Sequence, residues 1–167
     1  MGICTSSSCV TGSDIVGSHT IEKISWDECE LSHKSFHKTG PLLGIGGSGV
    51  VRAVTKLDGS RKPTIYALKT ISKAHLLLKS KGPEAALSEL KILSILSDTN
   101  CSSNFICQLH FAWNDENFCH FILDLGYGDL RFLLSKMGKF SERATKFYIC
   151  QLLLALFTCH DKRILHR

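Results

Sequence analysis

Three glycines in the run Gly44-Ile45-Gly46-Gly47-Ser48-Gly49-Val50-Val51 fit the pattern G-x-G-x-x-G-x-V. Without a Cβ, glycine lets backbone N–H groups come close to phosphate oxygens. Alone, the run fits a flexible hairpin turn equally well. It is a poor dinucleotide-binding turn, because the β-branched stretch Val50–Val54 follows it where a helix would be needed. Two charged residues downstream sharpen the reading. In the strand-like run 64–71, alternation places Lys69 on one face with Ile65, Ala67 and Ile71. In the helical run that opens at Gly82-Pro83, Glu89 shares a face with Ala85, Ile92, Leu93 and Leu96. A lone charge on an apolar surface is expensive to bury. Either each head group reaches water along its stem, or the two pair. The spacing from the glycine run to Lys69 and on to Glu89 favours the pair.

Several elements must position these groups. Val50–Val54 reads as a short strand, and Leu57-Asp58-Gly59-Ser60 as the turn of a hairpin whose second strand is 64–71. Gly82-Pro83 punctuates the start of a helix that runs to about Leu96, with Pro83 suited to its first turn. Strands are expected at 106–113 and 118–125, joined by a turn at Asn114-Asp115-Glu116-Asn117. After Gly126 and Gly128 the pattern turns helical, first over 129–136 and then from Ser141 to about His160. Ser141 is a good N-cap. Phe147, Ile149, Cys150, Leu153, Leu154 and Phe157 give the long helix a broad apolar face. Strands first and helices afterwards reads as α+β.

Strand, glycine loop, strand, then a lysine in Tyr66-Ala67-Leu68-Lys69 resembles the amino-terminal lobe of a eukaryotic protein kinase, whose motif there is V-A-I-K. The resemblance covers roughly Phe36 to Arg167. Tyr66 to Lys73, and Gly138-Lys139-Phe140-Ser141-Glu142, resemble the AGC group of serine/threonine kinases. Asp124-Leu125 followed by Gly128-Asp129-Leu130-Arg131, and Arg163-Ile164-Leu165-His166-Arg167, are most similar to the YANK branch of that group. The resemblance implies an N-lobe of antiparallel sheet plus one C-type helix, followed by the first helices of an incomplete C-lobe. It divides the chain into a tail at 1–35, an N-lobe at 36–125, and a hinge and C-lobe start at 126–167. It implies that Gly44, Gly46, Gly49 and Lys69 hold ATP phosphates and that Lys69 and Glu89 form the catalytic pair. It further implies that Leu43, Val51, Ala67 and Leu123 line the adenine pocket. Asp124 and Leu125 would offer backbone groups to the base, and Asp129 would reach the ribose. Leu93, Leu109 and His166 would stack as a spine joining the lobes. Two departures stand out: the hinge is one residue short before Gly128, and Ser48 replaces an aromatic frequent at the loop tip.

A kinase of this family would transfer phosphate from ATP to protein Ser or Thr, with Mg²⁺ expected only in a complete enzyme. The Asp of H-R-D, the downstream Asn, D-F-G and A-P-E have no counterpart in the 167 residues. The chain by itself is therefore expected to be inactive. A pseudokinase tethered to a membrane, a non-catalytic binding module and an unstable fragment are the alternatives.

Met1-Gly2-Ile3-Cys4-Thr5-Ser6 matches M-G-x-x-x-[ST], the signal for myristoylation of Gly2. One such chain binds membranes only marginally, so Cys4 is the candidate for palmitoylation. An unmodified polar tail is the alternative. The expectation is a cytoplasmic protein, peripheral on a membrane through these two groups. Residues 1–40 hold three lysines against five carboxylates, a charge of −2, so the rest carries +7 and the whole +5. That mild, dispersed balance suits an anionic ligand and gives no reason to expect nucleic acid. Hydrophobic residues make up 44% and charged residues 21%, a globular composition. The eight cysteines form no C-x-x-C pair, so reduced thiols are expected and a zinc site is not. The apolar runs are too short to span a bilayer.

Overall fold

The computed structural model describes residues 36–37, 40–47, 49–56, 63–97 and 104–166. Its elements in order are β1 (Phe36–His37), β2 (Leu42–Gly46), β3 (Gly49–Lys56), β4 (Ile65–Ser72), α1 (Lys73–Leu77), α2 (Gly82–Leu96), β5 (Leu109–Asn114), β6 (Phe118–Asp124), α3 (Leu130–Met137) and α4 (Glu142–Asp161). The strands make one antiparallel sheet in the order β1-β3-β4-β6-β5, with β2 also paired to β3. The two pieces β1 and β2 pair with opposite ends of β3, so together they act as one interrupted edge strand. The expected hairpin of β3 and β4 forms, in the register Val50↔Thr70 to Thr55↔Ile65. Its turn at 57–60, Ser48, and the expected lipidation sites Gly2 and Cys4 lie outside the described residues.

Local sequence explains the helix boundaries. Ser72 caps α1 by accepting from the His75 N–H at 3.4 Å. Asp129 caps α3 through Phe132 N–H at 2.6 Å, and Ser141 caps α4 through Ala144 N–H at 3.2 Å. Helix α2 has no side-chain cap; Lys81 before it adopts left-handed φ 60°, and Pro83 sits in the first turn. Gly82 is required there, since a Cβ would lie 2.1 Å from the Leu76 carbonyl oxygen.

The sheet buries both faces. On one, Val54, Leu68, Trp113 and Ile122 cluster with Phe36, Tyr66 and Phe111. On the other, Ile71, Leu76, Leu109 and Phe121 pack with Ala86, Leu90 and Leu93 of α2. Each large side chain fully buried this way contributes roughly 1.5–3 kcal/mol. Ala86, Leu90 and Leu93 of α2 thus face this cluster, and Leu87 and Leu96 of the same helix are buried as well. Ala85 and Ile92, expected to face the core beside Glu89, are exposed. The helix is rotated so that small Ala86 permits close approach, and Glu89 flanks the contact at its edge. Ile65 is likewise 49% exposed, because it opens β4 beyond the reach of α2. Among the described residues neither α3 nor α4 packs extensively on the sheet, and His166 is exposed, apart from the cluster that unites Leu93 with Leu109.

This is a kinase-type α+β arrangement: an antiparallel sheet with a helix against it, then further helices. The short strand β1 and helix α1 are additions to the elements legible in the sequence.

Candidate functional site

The site grows from cross-strand pairing, because residues opposite each other share a face. Val51 pairs with Lys69, and Lys69 with Phe121. Ala53 pairs with Ala67, and Ala67 with Leu123. Val51, Ala67, Lys69 and Leu123 therefore lie side by side on the face that also receives α2. One end of that face is covered by the helix, through Ile71 and Phe121. The other end carries the candidate adenine-lining residues.

Lys69 Nζ donates to Glu89 Oε1 across this boundary. The Lys69 side chain keeps 12% of its exposure and Glu89 34%. The strand is held by β3 and β6 on either side, and the helix by its apolar stripe, so both stems are fixed before the charges meet. Pairing removes the cost of an isolated ammonium on an apolar face.

The glycine run leads from β2 into β3, two residues before Val51, the cross-strand partner of Lys69. Among the described residues, a Cβ at Gly44 or Gly46 would meet nothing within 4 Å, so their packing does not demand glycine at either position. Gly49 differs: its φ is +139°, and a Cβ would lie 2.4 Å from the Thr70 carbonyl oxygen. Leu43 sits at the irregularity where β2 shifts register between Leu42 and Gly44, and is 46% exposed. Lys79, in the turn between α1 and α2, donates to the Gly47 carbonyl at the loop tip. Nothing in the spacing of Lys79 marks it, since it depends on a five-residue helix that the sequence pattern does not reveal.

At the far end of β6, Asp124 is anchored by its side chain. Its Oδ2 accepts from Gln108 N–H at 2.9 Å, and its Oδ1 lies 2.6 Å from His110 Nε2. The His110 ring stands edge-on to Tyr66, centroids 4.8 Å apart. The Asp124 carbonyl lies 3.9 Å from Cys107 Sγ. Burial, then the Asp124 charge, pushes the Cys107 thiol above its usual range. Leu125 leaves the sheet half-buried. The Asp129 carboxylate, expected at a ribose, is engaged in capping α3.

A second polar cluster sits at the β5–β6 turn. His120 is buried at 1% exposure, with Nδ1 3.1 Å from Thr70 Oγ1 and Nε2 2.9 Å from Asp115 Oδ2. Lys73 donates to Asn114 Oδ1 at 3.0 Å and to the Asp115 carbonyl. Partial burial raises the Asp115 carboxyl, but bonds from His120, Asn117 and Phe118 outweigh it and hold it below the usual carboxylate range. Among the described residues no group of three His, Cys, Asp or Glu side chains could hold a metal ion. No helix there is long and apolar enough to cross a membrane.

Comparison with known proteins agrees with this geometry. Residues 37–167 match the protein kinase domain family. A probable serine/threonine-protein kinase of Dictyostelium discoideum is 37% identical over 75% of this chain and 26% of its own length. The serine/threonine-protein kinase SCH9 of Candida albicans is 32% identical over 95% of the chain and 20% of its own. Beta-adrenergic receptor kinase 1 of Homo sapiens is 34% identical over 75% and 18%. The chain thus spans about a quarter or less of the length of these relatives. A glycine loop that leads into the strand paired with Lys69, and a Lys69–Glu89 pair in a sheet-and-helix lobe that matches the family from residue 37 onward, identify the chain as a member of the protein kinase domain family.

Proposed function

We propose that this chain is the ATP-binding portion of a protein serine/threonine kinase of the AGC group, most similar to the YANK branch. The Lys69–Glu89 pair, on the strand beside the one the glycine loop leads into, carries the reading. ATP, when bound, supplies the phosphoryl group for transfer to a protein Ser or Thr. Gly44, Gly46 and Gly49 would present backbone N–H groups to its phosphates, and Lys69 would donate to them while Glu89 fixes its position. Two glycines that packing does not demand, Gly44 and Gly46, support an outside occupant for that space. Leu43, Val51, Ala67 and Leu123 would line the adenine, with Asp124 and Leu125 offering backbone groups. Asp129 would meet the ribose once its cap on α3 is shared or released.

Titration calorimetry with ATP tests this. Lys69→Met and Glu89→Gln should each abolish or strongly weaken binding, and unchanged affinity in both variants refutes the site. A polypeptide of residues 1–167 is expected to bind nucleotide without transferring phosphate. The base of H-R-D and the metal ligand of D-F-G have no counterpart among these residues. Turnover of ATP onto Ser/Thr peptides, lost on Lys69→Met, would overturn that expectation.

The amino-terminal motif supports a further reading, myristoylation of Gly2 with palmitoylation of Cys4, making the protein cytoplasmic and peripheral on a membrane. Gly2→Ala should release it to the soluble fraction and Cys4→Ser should weaken attachment. Equal soluble fractions for Gly2→Ala and the parent would sink the idea.

A further inference from the structure

Lys79 reaches from the α1–α2 turn to the tip of the glycine loop, 32 residues earlier in the chain, and donates to the Gly47 carbonyl. A Cβ built on Gly47 would meet its Nζ at 4.0 Å. The turn that carries Lys79 is rigidly made. Lys79 N–H donates to the Leu76 carbonyl at 3.1 Å, and Gly82 N–H to the Lys79 carbonyl at 3.0 Å. Leu76 is buried in the core, and Gly82, which begins α2, packs on the Leu76 carbonyl too closely for any side chain. The Lys79 backbone is therefore part of the same body as α2. The body made of α2 and its preceding turn touches the proposed nucleotide cleft at two places: a lower contact through Glu89 of the helix to Lys69, and an upper one through Lys79 of the turn to Gly47.

We propose that Lys79 is a positioning residue that tethers the glycine loop to α2, so that the loop and the helix bearing Glu89 hold one common position over the phosphates. The strand β4 fixes the lower contact. The upper contact fixes a loop whose glycines Gly44 and Gly46 meet no packing partner among the described residues within 4 Å of where a Cβ would lie. A tether at the tip lowers the number of conformations the loop must give up when phosphates arrive, and pre-organisation of this kind raises affinity. Its consequence for nucleotide rests on the reading of the loop as a phosphate cradle; the tether itself does not.

Two measurements on the full chain separate these statements. The first is hydrogen exchange of residues 44–50 without nucleotide. Lys79→Met should accelerate it and Lys79→Arg, which keeps a long donor, should not. Unchanged exchange in Lys79→Met overturns the tether whether or not nucleotide binds. The second is affinity for ATP compared with adenosine. Lys79→Met should weaken ATP about threefold, the size of one exposed charged contact, and leave adenosine unchanged, with Lys79→Arg restoring ATP. Equal loss for both ligands means a general structural defect and overturns the positioning role. If the parent binds neither ligand, the nucleotide reading falls and exchange alone decides the tether.

Discussion

Lys69 and Glu89 are unequal partners: the lysine keeps 12% of its side-chain exposure and the glutamate 34%. Removing the glutamate strands an ammonium among Val51, Ala67 and Phe121, whereas removing the lysine leaves a carboxylate that can turn toward water. Glu89→Ala is therefore expected to cost about 1–3 kcal/mol of stability, between the values for exposed and fully buried pairs. Lys69→Met, which keeps an apolar stem on an apolar face, should cost less. Denaturant melts of both variants check the order; a larger loss for Lys69→Met would contradict this account of the pair.

The glycines of the loop are separable by the same kind of measurement. Gly49→Ala forces a side chain into φ +139° and onto the Thr70 carbonyl, at a cost of about 1–3 kcal/mol. Gly44→Ala and Gly46→Ala place a methyl in open space and should change stability by less than about 0.5 kcal/mol. Any effect of those two should appear in ATP affinity instead. Thermal melts and calorimetry on the three variants decide it.

Stability should also depend on acid at the β5–β6 turn. Asp115 faces His120, the N–H groups of Asn117 and Phe118, and, through its carbonyl, Lys73. Its carboxyl is depressed in the folded protein, so its contribution is fully present above the ordinary carboxylate range. The contribution is lost as pH falls through that range toward the lower folded value. The melting-temperature gap between parent and Asp115→Asn should accordingly be widest near neutrality and narrow as pH is lowered. A gap independent of pH would exclude this linkage.

Helix α4 exposes Phe147, Ile149, Leu153, Leu154 and Phe157, each at 48% or more. Such a contiguous apolar surface promotes association. A polypeptide of residues 1–167 is expected to self-associate in sedimentation experiments. Leu153→Glu with Phe157→Lys should reduce that, and residues 1–126 alone should be more soluble. A monomeric parent with a sharp two-state melt would show that α4 is covered.

The legible parts of the fold were those with local punctuation. Gly82-Pro83 marks the start of α2, Ser141 that of α4, and Asp115 closes the β5–β6 turn with its own side chain. The glycine loop, Lys69 and Glu89 were legible because their residue types conflict with their surroundings. Helix α1 was not, since five residues span barely more than one turn and show no periodicity. The exact rotation of α2 escaped because neighbouring positions on a helix lie 100° apart, and the choice between Glu89 and Ala86 as the inward residue depends on how closely the sheet approaches. His120 looks like a surface residue between Cys119 and Phe121. Only the register that sets it against Thr70 and Trp113, whose ring it stacks on at 4.6 Å, explains its burial.

The division of the outer strand into β1 and β2 has a bearing on colloidal behaviour. An uninterrupted, flat outer strand offers a row of free backbone groups on which another chain can add itself. Here that row is cut at Gly40-Pro41, where Gly40 lies so close that a Cβ would be 2.4 Å from the Ala53 oxygen, and is disturbed again at the shift between Leu42 and Gly44. Proline brings no donor to such a row. The opposite margin, β5, has its own irregularity between Leu109 and Phe111. Neither margin offers a long regular template, so any self-association of this lobe should proceed through helix surfaces rather than by growth of the sheet into fibrils.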